Sequence, residues 1–321
     1  MQLTILAIEG VFDTGLTVFL DAFSAANDLG AMLLETAPHF DVSIVGVRDT
    51  VRTACGLEVP VGPIDPTSKP EWVLIPALNT RMPEPLALAL SRDDMVDAKA
   101  QLLAWHASGA GIAASCIGTF LLAETGLLDN QEATTSWWLG PFFRKRYPNI
   151  HLDESRMLVA NGRVATAGAA MGHLDLALWI IRKSSPELAA LVARYMLADY
   201  RSHQAPYIIP EHMAHADPLM EQFERWARDH LKEGFSLQAV ASALATTPRT
   251  LQRRTESVLG KSPLAFFQDM RIERAQHLLR TTSMDLEAIA SEVGYVDGAT
   301  LRTLLRKHLG RGIRELRADL R

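Results

Sequence analysis

This 321-residue chain has little of what would mark a specialised class. Only two cysteines occur, Cys55 and Cys116. Two thiols cannot build a disulfide framework, and they suit a reducing cytoplasm. No apolar run reaches the roughly eighteen residues of a membrane span, so no membrane partner is expected. The start, Met1-Gln2-Leu3-Thr4-Ile5-Leu6-Ala7-Ile8, has no basic segment and leads straight into an expected strand. It does not read as a signal peptide. Low-complexity stretches are missing, and His106, His151, His173, His203, His212 and His215 fall at no metal-ligand spacing. No metal or other cofactor is therefore expected.

What is present is an ordinary globular balance, 48% hydrophobic and 21% charged, in a chain long enough for two cores. The net charge of −5 hides an asymmetry. Residues 219–321 hold 17 lysines and arginines against 13 acids, whereas the preceding 218 residues hold 15 against 24. A basic end on an acidic body suits a DNA reader joined to a domain that avoids phosphate.

Hydrophobic patterning divides the chain in the same way. Strands are predicted at Leu3–Ile8, Phe40–Val47, Trp72–Ile75, Gly111–Ala114 and Val164–Thr166. Helices are predicted at Thr14–Leu29, Asp94–Ser108, Ile117–Glu124 and Gly172–Arg182. That alternation implies an α/β domain over 1–185, a flavodoxin-like parallel sheet with helices on both faces. Residues 186–218 read as a linker, punctuated by Pro206, Pro210 and Pro218. Residues 219–321 read as all-α, with helices at Leu219–Leu231 and Leu264–Leu279 among them.

Two helix-turn-helix patterns lie about fifty residues apart in this last segment. The first runs Ser236-Leu237-Gln238-Ala239-Val240-Ala241, then Thr247-Pro248-Arg249-Thr250-Leu251-Gln252-Arg253-Arg254. Thr246 or Thr247 can cap its second helix, with Pro248 at the first helical position. Leu251 points inward, leaving Arg249, Thr250, Gln252, Arg253 and Arg254 outside. Arginine can pair with guanine and glutamine with adenine, or either can hold phosphate. The second pattern is Asp285-Leu286-Glu287-Ala288-Ile289-Ala290-Ser291-Glu292-Val293-Gly294-Tyr295, then a basic helix offering Thr300, Arg302, Arg306 and Lys307.

The order and spacing of these motifs, with the bridging Met270-Arg271-Ile272-Glu273-Arg274-Ala275-Gln276-His277-Leu278-Leu279, resemble the DNA-binding domain of AraC-type transcription regulators. The second unit departs from the family at Leu301, Arg302-Thr303 and Leu305. It departs again at Gly310-Arg311-Gly312-Ile313, where the family tends to have Gly-x-Ser-Pro. These departures leave its contacts open between base edges and phosphate.

In the first half, Ala113-Ala114-Ser115-Cys116-Ile117-Gly118-Thr119 has the small residues of a nucleophile elbow. A thiol at a helix N-terminus is favoured as thiolate by the dipole. With Thr134-Thr135-Ser136-Trp137-Trp138 and Ala167-Gly168-Ala169-Ala170-Met171-Gly172, this stretch is similar to PfpI-type, class I glutamine-amidotransferase-like domains. Catalytic relatives commonly place His where Ser136 stands and an acid where Gly15 aligns. The domain is therefore expected to bind rather than catalyse, with Cys116, Ile117, Ser136 and Trp137 lining an effector pocket. One of the two tryptophans at most is expected to face it.

The resemblance implies a cytoplasmic, homodimeric regulator that binds double-stranded operator DNA and a small nitrogenous effector. Activation through RNA polymerase is expected from the resemblance, which leaves the sign of regulation open. The competing reading is a cysteine-dependent amidase or protease-like hydrolase fused to a DNA-binding module.

Overall fold

The computed structural model describes residues 1–65, 67–80, 82–198, 201, 203–204, 217–309 and 313. They fall into two compact units, Met1–Gln204 and Ala205–Arg321. The linker positions Pro206 and Pro210, with His212 and His215, lie outside the described residues, as does Gly310-Arg311-Gly312.

The first unit is built on a six-stranded sheet of β1 (Gln2–Ala7), β2 (Asp41–Gly46), β5 (Trp72–Ile75), β6 (Gly111–Ser115), β9 (Leu158–Asn161) and β10 (Val164–Ala167), in the order β2-β1-β5-β6-β10-β9. Inner strands buried on both faces explain the unbroken apolar runs. Leu3, Ile5 and Ala7 of β1, with Trp72 and Leu74 of β5, face helices α1 (Asp13–Leu33), α6 (Gly172–Ser184) and α7 (Pro186–Tyr195). Leu6, Val73 and Ile75 face the other side, covered by α2 (Pro83–Leu90), α3 (Asp93–Ala107), α4 (Gly118–Glu124) and α5 (Gly140–Arg146). Short pairs β3 (Thr50–Arg52) with β4 (Glu58–Pro60), and β7 (Glu132–Ala133) with β8 (His151–Leu152), lie outside the main sheet.

Three sequence expectations need correction. The sheet is not wholly parallel, because β9 pairs antiparallel with β10 through a tight turn at Gly162, where φ is +59°. The linker does not begin at 186. Ser185 caps α7, and Leu188, Ala189 and Val192 bury its apolar face in the same core as α1 and α6. Finally, α1 does reach the length and apolar character of a membrane span, with a mean hydropathy of 1.2 over its best window. Its Leu16, Phe19, Ala22, Phe23 and Ala26 nevertheless form one face buried against the sheet.

The second unit is helical. Its elements are α8 (Pro218–Asp229), α9 (Leu237–Ala243), α10 (Pro248–Leu259), α11 (Pro263–Thr281), α12 (Leu286–Glu292) and α13 (Gly298–Leu309). Side-chain caps start them: Asp217, Ser236, Thr247, Ser262 and Asp285 each accept from a backbone N–H of the first turn of α8 to α12 in order. Proline follows the cap in α8, α10 and α11, where its missing N–H costs nothing. The nineteen-residue α11, about 28 Å long, is the spine of this unit and packs on α8, α10, α12 and α13. It buries Phe266, Phe267, Met270, Ile272, Ala275, Leu278 and Leu279.

Candidate functional site

Cys116 follows β6 with φ at +56°, the left-handed conformation of a sharp strand-to-helix turn. Its N–H donates to the Ala167 carbonyl at 2.7 Å, and its own carbonyl accepts from Thr135 Oγ1 at 2.7 Å. These bonds hold the strained residue between β10 and the Thr134-Thr135 segment. The structure brings Cys116 and Ser136 together, with Sγ and Oγ 2.8 Å apart.

The thiol is not activated. Burial pushes its pKa up to about 11 and outweighs the hydrogen bond from Ser136 and the backbone contact at Ile117. The dipole argument for a thiolate is thereby corrected: desolvation of the charged form wins over one short helix. Ser136 offers a hydroxyl, which is no base near neutrality.

His173, a fully buried histidine of this unit, is also committed. Its Nε2 accepts from the Ala77 N–H at 3.0 Å, so Nδ1, 2.6 Å from the Ala170 carbonyl, carries the proton. Burial lowers its pKa to about 4, against the raising effect of the Ala170 contact. The ring fills the space beside Gly15, where a Cβ would stand 2.5 Å from Nε2. A side chain of any kind at position 15 is thus excluded by His173. Of the acids near position 15 in the sequence, Glu9 accepts from the Arg52 N–H at 2.9 Å and Asp13 Oδ2 from the Cys55 N–H at 3.0 Å, while Asp13 Oδ1 is buried without a partner among the described residues.

All four expected pocket residues are buried: Cys116, Ile117, Ser136 and Trp137. The two tryptophans lie on a 3-10 turn, Trp137–Leu139, rather than on a strand. Their rings meet edge to face at 5.4 Å, with Trp137 buried and Trp138 half-buried. Beside them sits Gln204, which no local sequence pattern singles out and which is fully buried. Its side-chain amide donates to Thr134 Oγ1, the Thr135 carbonyl and the Arg156 carbonyl at 2.9–3.0 Å.

In the second unit the same residue types are arranged for contact with the outside. Arg249 and Arg253 on α10 are exposed, and so are Thr300, Arg302 and Arg306 on α13. Among the described residues no carboxylate is bonded to Arg249, Arg253, Arg302 or Arg306. The other candidates on α10 are engaged within the unit. Thr250 bonds Thr247 at 2.8 Å, and Gln252 donates to Glu256. Arg254 pairs with Asp217, the buried residue that also caps α8. Arg254 therefore joins the reading helix to α8, and this pairing removes it from the free cations of that helix.

Residues 240–319 match the family model described as a helix-turn-helix domain. The C-terminal unit is an AraC-type helix-turn-helix domain. Similar curated proteins include the HTH-type transcriptional regulator GbdR of Pseudomonas aeruginosa, 25% identical over 206 residues. That match covers 63% of this chain and 56% of GbdR, so the chain spans about half the length of this relative. The HTH-type transcriptional activator RhaS of Escherichia fergusonii is 32% identical over 101 residues, 32% of this chain and 36% of RhaS. A ThiJ/PfpI family protein from Pseudomonas syringae superposes with a TM-score of 0.50 at 19% identity, covering 76% of this chain and 90% of that one. A solved protein from Vibrio parahaemolyticus gives 0.51 at 17% identity, covering 61% and 98%. These two likenesses concern fold alone: Met1–Gln204 has the ThiJ/PfpI fold.

Within the AraC-type domain, the residue that sequence reasoning undervalued is Arg271. It lies in the bridging motif of α11 but is buried. Its Nε donates to the Leu231 carbonyl at 2.9 Å and its Nη2 to the Glu233 carbonyl. The guanidinium stacks over Phe267 and Tyr295, 4.7 and 5.3 Å from the ring centroids. It thus ties the segment before the first helix-turn-helix to the turn of the second. A charged residue on the inner face of an otherwise apolar helix was the available signal.

Proposed function

We propose that this protein is a DNA-binding transcription regulator in which the AraC-type domain grips operator DNA and the ThiJ/PfpI-fold unit binds a small nitrogenous effector. The observation that carries this reading is the pair of recognition helices, α10 and α13, each presenting exposed arginines without a bonded carboxylate among the described residues. Such side chains are available to phosphate oxygens and base edges. Arg249, Arg253, Arg302 and Arg306 form the proposed contact set, with Thr250, Gln252 and Thr300 at its margin. Arg254 has a structural duty to Asp217. The remaining parts of the reading are a homodimer on repeated half-sites, activation through RNA polymerase, and a cytoplasmic location.

The first unit is proposed to bind without turnover. Its cysteine is a buried neutral thiol, its neighbour is Ser136, and its buried histidine has both ring nitrogens committed. A cysteine hydrolase needs a base within hydrogen-bond reach of the thiol, and this arrangement supplies none. The elbow geometry at Cys116 is what speaks for the hydrolase alternative, and geometry without a base does not generate a nucleophile.

The test is selection of bound DNA from a random duplex library with the full chain, followed by gel shifts at several salt concentrations. A recovered consensus and a salt-dependent affinity support the reading. Recovery of no consensus sinks sequence-specific binding. Ammonia release from amide substrates that is lost in Cys116→Ala would overturn the non-catalytic assignment.

A further inference from the structure

Gln204 occupies a socket whose chemistry is unlike that of a packed core. Three acceptors converge on its side-chain nitrogen: Thr134 Oγ1 at 3.0 Å, the Thr135 carbonyl at 2.9 Å and the Arg156 carbonyl at 3.0 Å. Thr134 spends its own hydroxyl proton on the Arg156 carbonyl at 2.8 Å, so its oxygen faces Gln204 as an acceptor. Exchanging the amide's nitrogen and oxygen would set three acceptors against a fourth, which fixes the assignment. The amide oxygen, in contrast, is buried and has no partner among the described residues. A carboxamide nitrogen has two N–H groups for these three acceptors, and its oxygen is left unpartnered, an arrangement that carries a desolvation cost.

The space itself is made by a missing side chain. A Cβ on Gly168 would lie 1.8 Å from the Gln204 nitrogen. The socket adjoins the elbow, since Thr135 donates to the Cys116 carbonyl and the next residue, Ser136, contacts the Cys116 sulfur. One wall, Gly168, directly follows the carboxyl end of β10, the region where open α/β sheets place their ligands.

We propose that this socket is an effector subsite for a primary ammonium group, occupied in this structure by the chain's own Gln204. This rests on the reading of the first unit as a sensor. An ammonium has three donors and no acceptor, so it meets Thr134, Thr135 and Arg156 and leaves nothing orphaned. A quaternary ammonium has no N–H and leaves Thr134 Oγ1 and the Thr135 carbonyl without this donor, while the Arg156 carbonyl keeps only the Thr134 hydroxyl. The acid excess of residues 1–218 favours the arrival of a cation at this unit.

Gln204 and its described neighbours are also held by other bonds of the first unit. The Gln204 backbone N–H donates to the Ser155 carbonyl at 2.6 Å, and His203 forms an isolated bridge with Arg156. Arg201 is tied to Asp175 at 2.7 Å. Gln204 is the last described residue of the first unit. Residues 205–216 then lead to Asp217, which caps α8 and pairs with Arg254 of the reading helix.

The probes are n-butylammonium, n-butyltrimethylammonium and no ligand, titrated by calorimetry into the full chain and into Gln204→Ala. A self-competitor that fills the socket nine-tenths of the time weakens apparent affinity about tenfold. Butylammonium should therefore bind Gln204→Ala about tenfold more tightly than the parent protein. The trimethyl compound should bind neither. In the parent protein, saturating butylammonium should also speed hydrogen exchange at the Gln204 amide, a readout that stands if the variant fails to fold.

Equal affinities in the two proteins, equal binding of the trimethyl compound, or unchanged exchange at Gln204 would each overturn the socket. The same preparations are assayed by gel shift. DNA binding that persists while these results fail removes only the ammonium subsite, and loss of DNA binding by the parent protein removes the regulator reading instead.

Discussion

The two helix-turn-helix units of the C-terminal domain make the same turn with different residues. In the first, α9 ends at Ala243 and Ala245 takes φ of +49° before Thr247 caps α10. In the second, α12 ends at Glu292 and Gly294 takes φ of +77° before α13. The backbone bonds correspond residue for residue: Thr246 donates to the Ala241 carbonyl at 2.9 Å and Tyr295 to the Ala290 carbonyl at 2.8 Å. One turn accepts an alanine in left-handed geometry, and the other does not. The difference lies in what stands over the turn. Beside Gly294 lie the Arg271 guanidinium and the Leu231 carbonyl, each 2.4 Å from where a Cβ would be. The second turn is a packing joint for the whole domain; the first is a local feature.

The strongest test of that contrast is Gly294→Ala. The substitution combines left-handed strain, about 1–2 kcal/mol, with overpacking against a backbone carbonyl and a buried arginine, about 1–3 kcal/mol. A loss of about 2–5 kcal/mol in urea unfolding of the C-terminal domain is expected. A loss below about 1 kcal/mol would mean that the joint at Arg271 yields easily.

DNA affinity gives the next largest effect. Arg249→Ala and Arg253→Ala are each expected to weaken operator binding by about 1–3 kcal/mol if they read bases, with relaxed specificity at one position. Arg302→Ala and Arg306→Ala are expected to weaken binding evenly across sequences and to lower the salt slope by about one for each phosphate no longer neutralised. The comparison breaks if both helices respond alike in sequence preference.

How much of this was legible in the sequence differs between the units for a physical reason. Helix starts in the C-terminal domain are local chemistry, a capping side chain followed by proline, and Thr247-Pro248 and Ser262-Pro263 announced them. The inner strands β1, β5, β6 and β10 of the first unit were legible as apolar runs buried on both faces. Short elements stabilised by distant partners were not, among them α2, α5, β9 and α7. Candidate cations on α10 were legible as residue types, but the pairing of Arg254 with Asp217 spans 37 positions and leaves no local mark. Gln204 was missed for the same reason, whereas Arg271 carried a local signal, a charge on the inner face of an apolar helix, without its partners. A buried polar residue is explained only by the carbonyls that surround it.

That pairing supplies the third test. Arg254→Ala leaves Asp217 buried without its cation, although Asp217 keeps its two cap bonds to the N–H groups of Leu219 and Met220. Because the Arg254 side chain is 53% exposed, the cost is expected well below that of a fully buried pair, about 1 kcal/mol of domain stability. Operator affinity measured well below the melting transition should change less than in Arg249→Ala. An affinity loss equal to that of Arg249→Ala, with unchanged stability, would return Arg254 to the DNA-contacting set.

The smallest effect has the opposite sign. Ala245 holds a left-handed conformation that costs an L-residue about 1–2 kcal/mol relative to glycine. Glycine would relieve this strain but add about 0.5–1 kcal/mol of backbone entropy to lose on folding. The two terms leave Ala245→Gly stabilising by about 0.5 kcal/mol, read as a small rise in the unfolding midpoint with an unchanged slope. If the variant is instead destabilised by 1 kcal/mol or so, the alanine methyl makes contacts that outweigh its strain. The first turn would then be a packing joint like the second, and the asymmetry between the two units would rest on residue choice alone.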